Sequence, residues 1–207
     1  MIFCHGNVHT ANAVEVGELY RAVELLNRSG TPTWLVRTGR DSAAFAANIP
    51  ASVRPHLIEI GFVKRTKDLP TLMSLADIFV QPGRAGAFND FRFPSKLPEF
   101  FAISRPVVLP ATNLGSALQH RRDAYVLPEA NAETIADAIS EITTDSALRD
   151  ALTNGALPFA AQKFSWPRSA EQVLSFFHQH TSLGHPTESD MVAAQTVSAA
   201  FASSGAD

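Results

Sequence analysis

The stretch from Gln81 to Glu99 (QPGRAGAFNDFRFPSKLPE) carries the residue types that could do chemistry. Gly83 and Gly86 permit close backbone approach and positive φ, and Arg84 and Arg92 bring positive charge to the same mouth. Backbone N–H groups, arginines and a following helix start suit a diphosphate; a surface loop with solvated arginines is the plainer alternative. Lys96 falls in the first turn of that helix, where the dipole disfavours a cation unless an anion lies nearby. Glu99, on the same turn, can cap free N–H groups or accept hydrogen bonds from a ligand's hydroxyls. Asn89 and Asp90 suit ordering of the loop by side-chain-to-backbone bonds, with direct catalysis as the alternative.

Other loops add candidates. Gly6, Asn7 and His9 line the first loop, and His5 and His9 could act as acid, base or ligand. A His-x3-His pair can bind metal in principle, but no neighbouring Cys, Asp or Glu completes a set, and no metal is expected. Arg37, Thr38 and Arg40 could meet phosphate, or Arg37 could pair with Asp41. Gly61, Phe62 and Val63 offer backbone and an apolar surface to a nucleobase. There is no Gly-x-Ser-x-Gly elbow, and Cys4 reads as a small buried hydrophobe.

The elements that must position these residues follow a simple rhythm. Short apolar runs at Ile2-Phe3-Cys4, Trp34-Leu35-Val36, His56–Gly61, Ile78-Phe79-Val80, Pro106–Leu109 and Ala124–Pro128 read as strands. Between them lie amphipathic or Ala-rich helices: Asn12–Asn27 (apolar face Val16, Leu19, Tyr20, Val23, Leu26), Ser42–Asn48, a short helix capped by Asp68, and a central helix ending near Ser104. Ser95 is positioned to cap the central helix, and Pro98 sits harmlessly in its first turn. A short helix near His120 and helices at 132–142, 146–163 and 165–178 complete the series; Ala170, Val173, Leu174 and Phe177 are expected to form a buried stripe on the last. Strand-loop-helix repeated about six times means an α/β, doubly wound, Rossmann-like parallel sheet with helices on both faces, with ligands at the carboxyl ends of its strands.

The bulk properties exclude several classes. A chain of 207 residues, 45% apolar, suffices for one domain with a substantial core, or at most two small ones. Residues 1–180 read as that domain, and 181–207 as a low-complexity, disordered tail. A net charge of -3 gives no global basic field for nucleic acid. No apolar run is long enough to span a membrane. The single cysteine rules out an internal disulfide and fits a reducing, cytoplasmic compartment. MIFCHGN lacks the pattern of a signal peptide.

Pro94, Lys96, the apolar positions that follow, Glu99-Phe100, and Arg105-Pro106-Val107-Val108 resemble the donor-site helix of family-4 (group 1) glycosyltransferases of the GT-B fold. Gly61-Phe62-Val63, Ala76-Asp77-Ile78, Gln81-Pro82 and the helix at Trp166 fall in the family's order, so the likeness covers roughly residues 2–178. It implies the carboxyl-terminal, donor-binding half of such an enzyme, with the acceptor-binding amino-terminal domain supplied elsewhere in the protein or by a partner chain. The expected ligand is a nucleotide-diphosphate sugar of UDP or GDP type. The expected reaction is transfer of a hexosyl group with retention and without a cofactor.

On this resemblance Glu99 binds the ribose, Lys96 and Arg92 act on the phosphates, and the first loop with Gly6 and Asn7 meets the sugar. Ser95, Arg37, Gly61, Phe62, Val63, Arg84, Asn89 and Asp90 join the donor-binding set. Three departures stand out. Phe91 occupies the place of the family's frequent first glutamate, and Asp90 is one residue out of register. Asn7 stands in the region of a common arginine, and Ser104 where glycine usually ends the central helix. Two other readings remain open at this point: a non-catalytic nucleotide-sugar-binding or interaction module, and half of a sugar-nucleotide epimerase.

Overall fold

Six short runs of β-branched and aromatic residues form one parallel sheet: β1 Ile2–His5, β2 Leu35–Thr38, β3 Leu57–Gly61, β4 Ile78–Val80, β5 Val107–Pro110 and β6 Tyr125–Leu127. Their order is β3-β2-β1-β4-β5-β6 in a computed structural model that describes residues 1–64, 66–180 and Ser189. The expected Rossmann-like α/β sheet is present. The chain divides into two units, Met1–Lys163 and a second beginning at Phe164.

Helices cover both faces of the sheet because successive strand residues point to opposite sides. Ile2, Cys4, Leu35, Ile78, Val80 and Val108 pack with α1 (Ala13–Arg28) and α6 (Ala132–Thr144). α1 buries the expected Val16, Leu19, Tyr20, Val23 and Leu26, and Glu18 Oε2 accepts a hydrogen bond from the Ala132 amide at the start of α6. On the other face Phe3 meets Phe79 edge-on at 5.8 Å, and Phe79 stacks on Phe100 at 4.5 Å. Phe101 reaches Phe159 of α7 (Ser146–Lys163). Short helices α2 (Ala43–Ala47) and α3 (Leu69–Met73) follow β2 and β3, and β3 is an edge strand with Ile58 and Ile60 exposed.

Two departures from the sequence reading matter for the site. The loop after β4 contains a one-turn helix, α4 (Ala87–Phe91), introduced by Gly86 at φ 149°. The central helix α5 runs Leu97–Ala102, with Lys96, not Ser95, at its amino-terminal boundary. The Pro94 carbonyl accepts the Leu97 amide in a tight turn, which leaves Ser95 outside the helix and exposed. Ser104 adopts φ 57°, the left-handed conformation that glycine would take without cost, and its hydroxyl donates to the Thr153 carbonyl at 3.0 Å.

The second unit opens with α8 (Trp166–His180). No α8 residue is buried, so Ala170, Val173, Leu174 and Phe177 do not form the buried stripe expected of them. The tail expected over 181–207 lies outside the described residues apart from Ser189.

Candidate functional site

Strand order reverses between β1 and β4, which opens a crevice at their carboxyl ends. The loops after these strands flank an open cleft of about 400 Å³. Gly6, Asn7, His9 and Asn12 line it from the β1 side, and Arg92, Ser95, Lys96 and Glu99 line it from the α5 side.

Lys96 bridges the two walls. Its ammonium donates to the His5 carbonyl at 2.6 Å and passes close to Gly6. A Cβ on Gly6, which sits at φ 118°, would come within 2.9 Å of Lys96 Nζ. Burial lowers the proton affinity of Lys96, and Arg37 and Arg92 push the same way against the pull of Cys4 and Glu99. Burial, then Lys96 and Arg37, likewise lower that of His5, whose Nδ1 lies 2.6 Å from Thr38 Oγ1. Glu99 faces the cleft one turn on; partial burial raises its carboxyl above the ordinary range while Lys96 opposes the shift. An amine and a carboxylate thus stand beside each other on one wall, with Arg92 at the same mouth. That arrangement can grip an anion and a pair of hydroxyls together.

The first loop is braced to the second. Asn7 Oδ1 accepts from the Arg40 amide at 2.8 Å, and Asn12 donates to the Asn7 carbonyl while accepting from the His9 amide. Gly39, at φ 103°, crosses Gly6 so closely that a Cβ would lie 2.5 Å from the Gly6 carbonyl. Arg37 sits beneath the cleft, 4% exposed, with its guanidinium on Asp41 Oδ1 at 2.7 Å and on the Cys4 carbonyl at 3.3 Å. It supplies positive potential from below.

The remaining expected residues lie elsewhere. Gly61 ends β3, Phe62 and Val63 follow it, and none of the three lines this cleft; the Gly61 carbonyl accepts the Gly39 amide, and Arg40 lies over the Phe62 ring. Arg84 is exposed, and its carbonyl accepts from Asn89 Nδ2, which also donates to Glu15 at 2.7 Å. The Asp90 carbonyl accepts from Asn113. Phe91 is 89% exposed. Asn12, read from the sequence only as a helix start, and Glu15 are site-region residues that the sequence does not single out. An asparagine just before a helix is a signal that could have found Asn12; no local signal marks Glu15. A larger groove of about 600 Å³, lined by Tyr20 and Phe45 between α1 and α2, holds none of the expected site residues. Among the described residues no three His, Cys, Asp or Glu side chains gather as a metal site.

The family model described as glycosyl transferases group 1 matches residues 1–145. The chain belongs to the group 1 glycosyl transferases. Spore coat protein SA of Bacillus subtilis (strain 168) is 24% identical over 134 residues, 63% of this chain and 34% of that protein. The carboxyl-terminal domain of the group 1 glycosyl transferase LpcC from Francisella tularensis superposes with a TM-score of 0.66 at 17% identity, covering 80% of this chain and 86% of that domain. Anabaena HepE, solved with UDP and glucose, gives a TM-score of 0.67 at 15% identity over 88% of this chain and 48% of its own. This group 1 chain therefore spans about a third of the curated relative and about half of HepE, and its fold is that of a GT-B carboxyl-terminal domain. Among the described residues no helix is long and apolar enough to cross a membrane.

Proposed function

We propose that the chain is the donor-binding half of a glycosyltransferase that takes a nucleotide-diphosphate hexose, of UDP or GDP type, and passes the hexosyl group to an acceptor hydroxyl with retention. The observation that carries this reading is the pairing of Lys96 and Glu99 on the first turn of α5, with Lys96 anchored across the cleft on the His5 carbonyl. Glu99 accepts hydrogen bonds from the ribose hydroxyls. Lys96 and Arg92 hold the diphosphate, aided by the positive field of buried Arg37, and Gly6 and Asn7 face the sugar.

In the transfer the bond from the anomeric carbon to the phosphate oxygen breaks and the acceptor oxygen takes its place. The acceptor hydroxyl's proton passes to the departing diphosphate oxygen, and the nucleoside diphosphate leaves. These cations act where negative charge grows on the leaving group, an electrostatic contribution made by preorganised groups. The acceptor belongs to an amino-terminal half, in keeping with the share of HepE that this chain leaves uncovered. HepE was solved with UDP, which makes UDP the first nucleotide to try.

Titration calorimetry with UDP, GDP and uridine tests the reading. Binding of a diphosphate nucleotide well above uridine, weakened by Lys96→Ala more than by a surface lysine change, supports it. Equal, negligible heats for all three overturn it. The exposed Phe91 in place of an acid favours one alternative, a module that binds nucleotide sugar without transferring it. Nucleotide binding with no sugar release or transfer, even with an amino-terminal half added, would select that alternative.

A further inference from the structure

α4 is a single turn that buries none of its residues, and Phe88 and Phe91 on it are 52% and 89% exposed. A helix this short is not stable by itself, and it has no apolar anchor of its own. Polar ties hold it instead. Glu15, 6% exposed on the first turn of α1, accepts a hydrogen bond from Asn89 Nδ2 at 2.7 Å. The same nitrogen donates to the Arg84 carbonyl at 3.0 Å, which closes the turn leading into α4. From the other side Asn113, in the left-handed conformation at φ 47°, donates to the Asp90 carbonyl at 2.9 Å. Arg92 follows α4 directly and lines both the cleft and the small cavity beneath it.

We propose that Glu15 is a positioning residue: through Asn89 it fixes α4 and thereby aims Arg92 into the cleft. Asn89 is then a link in the scaffold, not a ligand contact. A buried carboxylate suits the task, because a hydrogen bond to a charged acceptor in a dry site is shorter and stronger than a neutral one. The predicted effect on nucleotide binding rests on the donor-site reading above; the anchoring of α4 does not.

Limited trypsin digestion of the ligand-free chain reads the anchoring directly, because cleavage after Arg84 and Arg92 follows the open population of this segment. Glu15→Ala and Asn89→Ala should each speed cleavage at these two sites by about tenfold, leaving Arg149 in α7 cut at the wild-type rate. The double variant should be no faster than Asn89→Ala alone, which already removes both the Glu15 and the Arg84 ties. Glu15→Gln, whose amide oxygen can still accept from Asn89, should restore most of the protection. UDP affinity of Glu15→Ala should fall to that of Arg92→Ala, with no further loss when the two are combined. Wild-type cleavage rates in both alanine variants would overturn the proposal, as would acceleration spread equally to Arg149. A wild-type chain that binds no nucleotide sinks the donor-site reading and leaves the digestion result to stand alone.

Discussion

Lys96 Nζ and the His5 carbonyl lie 2.6 Å apart although 91 residues separate them in the chain. The contact ties the start of α5 to the end of β1 and sets an ammonium across the crevice at the point where strand order reverses. A backbone carbonyl holds that ammonium without neutralising it, so its charge remains for a ligand.

On the proposed donor-site reading, this placement should make nucleotide binding pH-dependent. Burial lowers the Lys96 pKa from the ordinary 10.5, so the free protein loses this proton earlier than a solvated lysine does. A diphosphate binds the protonated form better. Affinity for UDP is therefore full below the lowered pKa and falls as pH rises through it. Lys96→Arg, whose guanidinium stays charged throughout, should flatten the profile. Calorimetry between pH 7 and about pH 10 checks this; a wild-type profile as flat as that of Lys96→Arg would remove Lys96 from the phosphate site.

If Glu99 binds the ribose as proposed, Glu99→Gln keeps the shape but loses the charge that strengthens those hydrogen bonds. Such bonds are worth about 1.5–3 kcal/mol, so UDP and uridine affinity should both fall about ten- to a hundredfold. The melting temperature without ligand should hold. Unchanged binding together with a much lower melting temperature would make Glu99 a helix-end residue only.

Gly39→Ala tests the crossing of the first two loops. The new Cβ would meet the Gly6 carbonyl at 2.5 Å in a backbone conformation that L residues rarely adopt. The change should cost more than about 1 kcal/mol and weaken nucleotide binding by moving Gly6. A variant as stable as wild type in urea would show that these loops part without penalty.

Leu19→Ala addresses the core under the site. Leu19 is fully buried on α1 against the sheet, and its truncation should cost about 2–5 kcal/mol. Chemical denaturation measures this directly, and a loss below about 1 kcal/mol would mean that the α1 face repacks freely.

Much of this molecule was legible in the chain because local periodicity reports burial. The apolar runs at Ile78–Val80 and Val107–Leu109, the three-to-four spacing of Val16, Leu19, Val23 and Leu26, and Pro98-Glu99 at a helix start each constrain a few neighbouring residues. Their alternation implies a doubly wound sheet, and such a sheet implies where ligands sit. Lys96 and Glu99 share one helical turn, so their neighbourhood was readable too. Tertiary structure decided what joins residues far apart. Arg37 reads as a phosphate ligand or an ion-pair partner with equal ease; only the packing of β1 against β2 put it on Asp41 and the Cys4 carbonyl, below the cleft. Ser95 had the chemistry of a cap, but the turn at Pro94 moved the helix start past it. Glu15 and Asn89 meet across 74 residues, and Lys96 and His5 across 91. Such contacts depend on how helices dock on a twisted sheet, a global packing result that no short window of sequence records.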